Sequence, residues 1–334
     1  MSRRELVTVC FGGFPGTNRH LREISRATGL TRHLVVSSSA PASADVAFLR
    51  DHLATLAPRC VIFGSWHAVY EPLVDAARAA GAEIAVLWTS SVVQTDLSGE
   101  TAMLASLLRD RRVTRFFAAS DALVGALGAA GRPSHVLPLP FSIAETPLVA
   151  AKPDGAVPVV SLFAAPNEFR RKNALTCILA LTGLDVPYVL RLNGLAERAE
   201  YRTFLEELNV PFDDRGWLDE DDYARALDDV DVGVQVSLGE SFNYVVAEHF
   251  ARAVPVMLSR SVPVAHGLPD DVLRLLVVTD PDDPGELRGK LRVLLTEPAT
   301  RREAGRAVRE HIERVSARNA EAARRTLTAV LAER

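Results

Sequence analysis

Two acidic residues, Glu240 and Glu248, follow a predicted strand over residues 231–236. Glu240 lies in the loop that opens the next predicted helix, and Glu248 lies about two turns later. The start of a helix offers unpaired N–H groups and a partial positive charge, which suit a phosphate group. Ser241 and Asn243 are both candidate N-caps of this helix. Carboxylates also accept paired hydrogen bonds from the diols of a sugar. The alternative interpretation is a solvated Glu240 and a Glu248 that only stabilises the helix.

Three consecutive basic residues, Arg170, Arg171 and Lys172, precede a second predicted helix over about residues 173–182. Cations at the N-terminus of a helix oppose the helix dipole, so a solvated helix start explains them poorly. An anionic partner is the better explanation. We therefore expect this basic segment to contact a bound anion.

Short apolar runs alternate with helical patterns along most of the chain. The runs cover residues 6–11, 33–37, 60–63, 83–88, 115–119, 135–139, 159–163, 188–192, 231–236, 254–258 and 275–278. Helical patterns include 42–56, 70–80, 100–109, 121–130, 173–182, 198–208, 243–253, 284–295, 300–316 and 318–332. Short uncharged strands separated by helices are typical of a parallel sheet covered on both faces. The sequence predicts an α/β fold of two Rossmann-like, doubly wound parallel-sheet domains facing a cleft, with ligands beyond the carboxyl ends of the strands.

The alternation breaks over residues 144–158, which contain three prolines and a glycine. We predict an interdomain linker there, between an N-terminal domain (1–143) and a C-terminal domain (159–316). The final helix, about 317–334, is a candidate for crossing back to the first domain. The length of 334 residues also favours two domains, because single cores rarely exceed about 250–300 residues.

The composition excludes several classes of protein. Hydrophobic residues make up 48% and charged residues 24%, which is average for a soluble globular chain, and the net charge of −4 argues against a general nucleic-acid binder. The three cysteines are scattered and form no zinc-binding pattern, which predicts reduced thiols in a cytoplasmic protein. No apolar run is long enough to span a membrane. The abundance of alanine and arginine suggests a bacterial source.

The segment that begins at Glu240 resembles the retaining family-four glycosyltransferases of the GT-B fold. That family carries two glutamates with seven residues between them after a strand, then a small residue and Pro-Val before the next strand. This chain has Glu240 and Glu248 with that spacing, followed by Ala253, Pro255 and Val256. The resemblance extends over most of the chain, and its motifs are most specific in the second domain.

The resemblance implies that the second domain binds a nucleotide diphosphate sugar. Glu248 would bind the ribose hydroxyls and Glu240 the hydroxyls of the donor sugar. Backbone N–H groups of Gly239 and Ser241 would bind the phosphates. The other expected donor-binding residues are Asn173, Phe242 and Asn243 beside the phosphates, Asn193 and Gly194 at the pocket floor, and Gly216, Trp217 and Leu218 beside the nucleobase. Trp217 has two interpretations, stacking on the base or packing within the fold.

The resemblance also assigns a role to the basic segment. Lys172 matches the lysine that the family places against the donor diphosphate. The family arginine normally precedes this lysine at a position that holds Pro166 here, so Arg170 or Arg171 is expected to replace it. Cations stabilise the diphosphate as it gains negative charge on leaving. Glu240, Lys172 and Arg171 are the expected catalytic residues.

The first domain would bind the acceptor, and its signals are weaker. Many family members carry a histidine after the fourth strand of this domain, but residues 88–94 contain none, so a serine is expected to contact the donor sugar instead. Two histidines near strand ends are candidates for lining the acceptor cleft, although a lone histidine in such a place is more often structural. The expected acceptor-side residues are Gly12, Gly13, His20, His67, Ser90 and Ser91.

The predicted activity is that of a retaining, hexosyltransferase-type glycosyltransferase acting in bacterial natural-product or cell-surface glycan assembly. The resemblance implies attack on the same face of the sugar, with the leaving phosphate taking the acceptor proton. No metal motif ends a strand, so transfer without a metal ion is expected. No cofactor is expected besides the nucleotide sugar as co-substrate. The expected partners are this donor and an unidentified acceptor, with the oligomeric state left open. Two alternatives stay open: a nucleotide-sugar hydrolase, phosphorylase or epimerase on the same scaffold, and a non-catalytic nucleotide-sugar-binding subunit.

Overall fold

The computed structural model describes residues 5–143, 146, 148–149, 152, 155–164 and 168–333. The described chain divides into two compact units, one within residues 1–142 together with 315–334, and one within residues 143–314. Pro166 and seven positions of the predicted linker (144, 145, 147, 150, 151, 153 and 154) lie outside the described residues. No helix of the described chain combines the length and the apolar character needed to cross a membrane.

The first unit is a parallel sheet flanked by helices. Its strands are β1 (Leu6–Phe11), β2 (Thr31–Val36), β3 (Cys60–Gly64), β4 (Glu83–Trp88), β5 (Arg115–Ala118) and β6 (Ser134–Val136). They form one sheet in the order β2-β1-β3-β4-β5-β6. The helices are α1 (Pro15–Thr28), α2 (Ala44–Leu56), α3 (Glu71–Ala79), α4 (Val92–Leu97), α5 (Thr101–Arg109) and α6 (Asp121–Ala129).

Every residue of β3 is buried, which explains its uninterrupted apolar sequence between two layers of helices. Tyr70 joins the carboxyl ends of β1 and β3, the strands at which the chain reverses its order in the sheet. Its hydroxyl donates to the carbonyl oxygen of Gly64 (2.9 Å) and accepts from the N–H of Phe11 (2.7 Å). Gly64 has no space for a side chain, because a Cβ there would lie 2.8 Å from atoms of Leu21 and Thr17.

The second unit repeats this architecture. Its strands are β7 (Val159–Leu162), β8 (Val189–Leu192), β9 (Phe212–Asp214), β10 (Val232–Gln235), β11 (Val256–Ser259) and β12 (Val277–Val278), in the order β12-β11-β10-β7-β8-β9 and all parallel. Its helices are α7 (Ala174–Thr182), α8 (Ala199–Glu207), α9 (Glu220–Leu227), α10 (Tyr244–Ala251), α11 (Asp270–Leu276), α12 (Pro284–Thr296) and the first part of α13 (Pro298–Ala332). The predicted fold class of two Rossmann-like parallel-sheet units is confirmed.

The sheet of the second unit grows in both directions from its middle. From β7 the chain adds β8 and β9 on one side, then returns to the other side for β10, β11 and β12. A crevice opens at such a reversal point, beyond the carboxyl ends of the two central strands, because the connections leave in opposite directions. The segments that follow β7 and β10 are therefore the place to look for a site.

The prediction of two closing helices, at 300–316 and 318–332, is wrong. Residues 298–332 form the single helix α13, which belongs to the second unit up to residue 314 and to the first from residue 315. The polar residues near the predicted break bond to other segments instead of capping a helix. The hydroxyl of Ser316 donates to the carbonyl oxygen of Phe141, and Asn319 Nδ2 donates to that of Leu139 (2.9 Å). With no proline or glycine there, nothing ends the helix.

Gly305 allows α13 to pack closely on the loop that follows α10. A Cβ at this position would lie 2.2 Å from the backbone oxygen of Ala253, which cannot move as a side chain can. We expect Gly305→Ala to lower the free energy of unfolding by about 1–3 kcal/mol, measured by urea denaturation, because the clash outweighs the better helix propensity of alanine. Gly289→Ala in α12 is the matched control, since a Cβ there meets no atom within 4 Å. Equal effects at both positions would contradict close packing at Gly305.

Candidate functional site

An ion cluster joins the segments that follow β7 and β10. Lys172 Nζ lies 2.6 Å from Glu240 Oε1, and Arg171 Nη1 lies 2.7 Å from the same oxygen. Arg171 also forms an ion pair with Glu168 and donates a hydrogen bond to the carbonyl oxygen of Gly239 (2.8 Å). Within this ion cluster, two cations are balanced by two carboxylates.

The turn at residues 168–173 decides which basic side chains enter the ion cluster. The N–H of Lys172 bonds to the carbonyl oxygen of Glu168 (2.8 Å), and the carbonyl oxygen of Arg171 accepts from the N–H of Leu238 (2.8 Å). The first bond closes the turn, and the second fastens it to the loop that follows β10. Arg171 and Lys172 are buried at 6% and 5% exposure, whereas Arg170 is exposed. Of the two arginines that were candidates to replace the displaced family arginine, Arg171 is therefore the one beside Glu240.

Burial and the neighbouring charges shift the pKa values of Lys172 and Glu240 in opposite directions. Burial lowers the pKa of the Lys172 ammonium, and the opposing charge of Glu240 does not fully offset this effect. Burial alone would raise the pKa of the Glu240 carboxyl, but the charges of Lys172 and Arg171 hold that pKa below its usual value. Glu240 is thus kept as an anion, which makes it a hydrogen-bond acceptor and a weak base.

Asn243 orients Glu240 and caps α10 at the same time. Its Nδ2 donates to Glu240 Oε1 (3.1 Å) and to Gln235 Oε1 (3.3 Å), while its Oδ1 accepts from the N–H of Val246 (3.2 Å). Gln235 in turn donates to the carbonyl oxygen of Phe163 (2.8 Å) at the end of β7. Of the two predicted N-caps, Asn243 is correct and Ser241 is wrong, because the backbone continues through Ser241 in a non-helical turn.

The conformation of Asn243 makes it difficult to replace. Its φ of 75° lies in the left-handed region, where asparagine is tolerated and alanine is disfavoured by about 1–2 kcal/mol. We expect Asn243→Ala to lower the free energy of unfolding by about 2–3 kcal/mol, because the cap is lost as well. Asn243→Gly should lose less, since glycine adopts this φ freely. Chemical denaturation measures both, and a larger loss for glycine would contradict this explanation.

The other predicted donor-binding residues follow neighbouring strands or begin helices of the same unit. Asn193 and Gly194 come directly after β8, and Asn193 Oδ1 accepts from the N–H of Ala164 after β7 (2.9 Å). Asn173 begins α7, and its Nδ2 donates to the carbonyl oxygen of Pro281 (2.7 Å). Glu248 lies in α10 and is 7% exposed. Its predicted contact with ribose stays a prediction.

The loop between β9 and α9 presents an exposed aromatic ring. Gly216 has a φ of 66° and donates its N–H to Asp214 Oδ1 (3.1 Å). Trp217 is 65% exposed, so a packing role for its indole is wrong. Leu218 packs against a core group that includes Phe163. Stacking of Trp217 on a nucleobase stays a prediction.

The expected phosphate-binding loop lies between β10 and α10. Gly239, Ser241 and Phe242 all belong to it, and Phe242 is buried with its ring 5.2 Å from the ring of Tyr244. The carbonyl oxygen of Gly239 accepts from Arg171. Predicted contacts of this loop with phosphates stay predictions.

Four predicted acceptor-side residues lie beside carboxyl ends of strands in the first unit. Gly12 and Gly13 are exposed after β1, and His67 after β3 stacks on Phe11 with ring centroids 4.5 Å apart. His67 Nδ1 accepts from the N–H of Val69 and so caps the short helix Ala68–Tyr70. Ser90 is buried after β4.

The other two acceptor-side residues have local structural roles. Ser91 is the N-cap of α4, because its hydroxyl accepts from the N–H of Gln94 (3.1 Å). His20 is buried within α1, and burial lowers its pKa to about 3, so it is neutral in the folded chain. Neither role bears on whether an acceptor binds nearby.

Two residues of the site were not anticipated from the sequence. Glu168 pairs with Arg171, and Gln235 links Asn243 to the end of β7. The signal for Gln235 is a polar residue at the end of an otherwise apolar strand, where a buried amide needs partners. Glu168 could have been found from its spacing, because an acid three residues before an arginine can pair with it across one helical turn.

No protein-family model matches this sequence, and no curated protein sequence matches it. Solved structures, by contrast, match over nearly the whole chain. Sucrose-phosphate synthase from Thermosynechococcus elongatus is 16% identical, with a TM-score of 0.73 over 98% of this chain and 100% of that one. HepE from Anabaena in complex with UDP is 13% identical, with a TM-score of 0.71 over 98% of this chain and 99% of that one.

A glycosyltransferase from Rickettsia africae is 12% identical, with a TM-score of 0.71 over 99% of this chain and 98% of that one. Identities this low establish likeness of fold. The three structures named here are glycosyltransferases of the GT-B fold, and this chain shares that fold of two Rossmann-like units.

Proposed function

We propose that this protein transfers a glycosyl group from a nucleotide diphosphate sugar to an acceptor, with retention of configuration. The observation that supports this most directly is the ion cluster at the reversal point of the second sheet, where Arg171 and Lys172 both contact Glu240. Two cations suit a diphosphate, and a carboxylate suits sugar hydroxyls. HepE, which shares the fold, has been solved with UDP and with UDP-glucose, and this favours a nucleotide-sugar donor.

Donor binding exchanges partners within the ion cluster. Among the described residues, the Lys172 ammonium bonds to Glu240 alone, which leaves two of its three donors for phosphate oxygens. Once the diphosphate binds Arg171 and Lys172, the oxygens of Glu240 become available to accept hydrogen bonds from hydroxyls of the donor sugar. Glu248 in α10 and Trp217 in the loop after β9 then contact the ribose and the base.

The lowered pKa of Glu240 favours a mechanism in which no protein side chain takes the proton of the attacking acceptor hydroxyl. The carboxylate of Glu240 has a lowered pKa, so it takes up a proton poorly near neutral pH. The oxygen of the departing phosphate is the stronger base and accepts the proton of the acceptor hydroxyl on the same face of the sugar. Arg171 and Lys172 stabilise the charge that develops on that phosphate.

Metal-independent transfer is part of the proposal. Among the described residues, no group of three or more His, Cys, Asp or Glu side chains could hold a metal ion. In place of a metal, Arg171 and Lys172 supply positive charge to the diphosphate. The first unit would bind the acceptor near Gly12, Gly13 and His67.

Exchanging each arginine separately tests which one acts on the donor. We expect Arg171→Gln to lower kcat about 10²-fold, because the lost cation faces the diphosphate. Arg170→Gln should lower it less than about threefold, since the exposed side chain of Arg170 acts only through long-range charge. Initial rates with one donor measure both variants, and a larger loss at Arg170 would reverse the assignment.

Product analysis tests the function itself. The protein is incubated with glucose donors carrying UDP, GDP, ADP and dTDP, with and without a panel of saccharide acceptors, and the release of nucleoside diphosphate is followed. We expect one donor to be used, faster release with an acceptor, and a glycoside whose anomeric configuration by NMR matches that of the donor. Release of free sugar at the full rate without acceptor would identify a hydrolase instead.

A further inference from the structure

A second pocket in the same unit shares no residue with the ion cluster. This basic pocket has a volume of about 570 Å³, and it is lined among others by Ser259, Arg260, Val262, Arg274, Val277 and Lys290. Ligand pockets for small molecules typically measure about 300–1,000 Å³. Arg260 comes directly after β11, so one wall lies at the carboxyl end of a parallel strand, where ligand sites commonly form.

The charge of the basic pocket is positive. Three cations line it, Arg260, Arg274 and Lys290, and the exposed ring of His266 lies beside them. One of the cations, Lys290, pairs with the carboxylate of Glu286 at 3.4 Å. Within the described part of the chain, neither Arg260 nor Arg274 forms an ion pair with an acid. Two guanidinium groups are therefore left for an anion.

Helix capping does not explain Arg274. This residue lies in the last turn of α11, where a cation often stabilises the free carbonyl groups. Lys290 already does this, because its Nζ donates to the carbonyl oxygens of Arg274 (2.5 Å) and Val277 (2.9 Å). The guanidinium of Arg274 is thus not needed at the end of the helix, and it lies at the edge of the basic pocket.

Apart from the cations, His266 and Thr279, the side chains of the lining are apolar or hydrogen-bonded within the fold. Val262, Ala265, Leu273 and Val277 form the walls. Ser259 is buried, and its hydroxyl donates to the carbonyl oxygen of Ser237 (2.5 Å). A ligand of this pocket would therefore meet mainly positive charge and apolar walls.

We propose that the basic pocket binds a phosphomonoester that carries an apolar group. A phosphomonoester is close to a dianion at neutral pH, and arginine binds phosphate oxygens in a fork of two hydrogen bonds. The apolar group would lie against Val262, Leu273 and Val277. None of the residues that line this pocket belongs to the ion cluster, and binding there does not depend on the proposed transfer activity.

Calorimetric titration of the full chain with phenyl phosphate tests this site. The variant Arg260→Gln/Arg274→Gln removes both guanidinium groups, and Arg302→Gln/Arg306→Gln, at exposed positions of α13, removes the same charge elsewhere. Lys172→Met removes a cation of the ion cluster and reports any binding there. Inorganic phosphate serves as a probe without an apolar group, and circular dichroism verifies that each variant is folded.

We expect wild type to bind phenyl phosphate and the double pocket variant to bind it at least about tenfold more weakly. The α13 variant and Lys172→Met should stay within about twofold of wild type, and inorganic phosphate should bind wild type at least about fivefold more weakly than phenyl phosphate. No saturable binding up to about 10 mM would overturn the proposal. A loss that follows Lys172→Met instead of the pocket variant would also overturn it, as would equal affinity for the two probes.

Discussion

Replacing Lys172 with methionine is expected to lower kcat for glycosyl transfer about 10²- to 10³-fold. The ammonium of Lys172 lies 2.6 Å from Glu240 at the end of the second sheet, buried at 5% exposure. A cation removed from water acts strongly on the charge that a departing diphosphate gains, which is the size of effect seen when one preorganised donor is removed from an oxyanion site. Methionine resembles the apolar stem of the lysine and lacks only the terminal ammonium, so the loss reports charge more than packing. Steady-state rates with the donor identified by product analysis measure it.

Lys152→Met is the matched control for this variant. Lys152 belongs to the same unit and forms an ion pair with Asp231 at 2.5 Å. Its replacement removes a lysine and a partly buried ion pair but leaves the ion cluster complete. We expect kcat to change less than about twofold, with a loss of about 1 kcal/mol in the free energy of unfolding. Equal losses of kcat in both variants would show that the effect is not specific to the ion cluster.

Replacing Glu240 with glutamine is expected to separate binding from turnover. The variant should lose kcat about 10²-fold or more, because a neutral amide accepts hydrogen bonds from the donor sugar less strongly than a carboxylate. Its affinity for the nucleoside diphosphate should be kept or increased, since Lys172 and Arg171 no longer share their charge with Glu240. Calorimetry and initial rates measure the two quantities. Unchanged turnover would contradict a catalytic role for Glu240, whereas a pure binding subunit would show no turnover in either form.

The same variant should be less stable. Removing one partner of a buried ion pair costs about 3–5 kcal/mol, because the remaining charge is left without compensation. Adding Lys172→Met to Glu240→Gln should restore part of this loss, since the uncompensated ammonium is then gone. Urea denaturation of the two single variants and the double variant gives the coupling energy. If the losses in the free energy of unfolding of the two single variants add up to that of the double variant, a direct interaction between the two side chains is contradicted.

The fold could be predicted from the sequence because its strands carry a strong signal. Strands of a parallel sheet are buried on both faces, so runs such as Cys60–Gly64 are apolar throughout and stand out between helical patterns. The short strand β9 (Phe212–Asp214) was not anticipated, because it lies at a sheet edge and contains two aspartates. Residues 275–276 were predicted as strand but end α11, because Leu275 and Leu276 satisfy either pattern over so short a run.

The sequence indicated that Lys172, Glu240 and an adjacent arginine belong to a site, but not which arginine contacts Glu240. The spacing of Glu240 and Glu248 and the basic run at Arg170, Arg171 and Lys172 indicated a site for an anion. Which arginine faces Glu240 depends on the turn at residues 168–173, and the rotation of a short turn leaves no pattern in the sequence. Likewise, Asn243 and Ser241 were equal candidates for the cap of α10, until the backbone showed which of them reaches the first turn.

Titration of a nucleoside diphosphate tests the central claim most directly. The full chain is titrated calorimetrically with UDP, GDP, ADP and dTDP, and then the variant Arg171→Gln/Lys172→Met is titrated with the nucleotide that binds best. We predict that one of the four binds wild type with a Kd in the micromolar range and binds the variant about 10²-fold or more weakly. No binding by any of the four, or equal binding by wild type and variant, would contradict a donor site at the ion cluster.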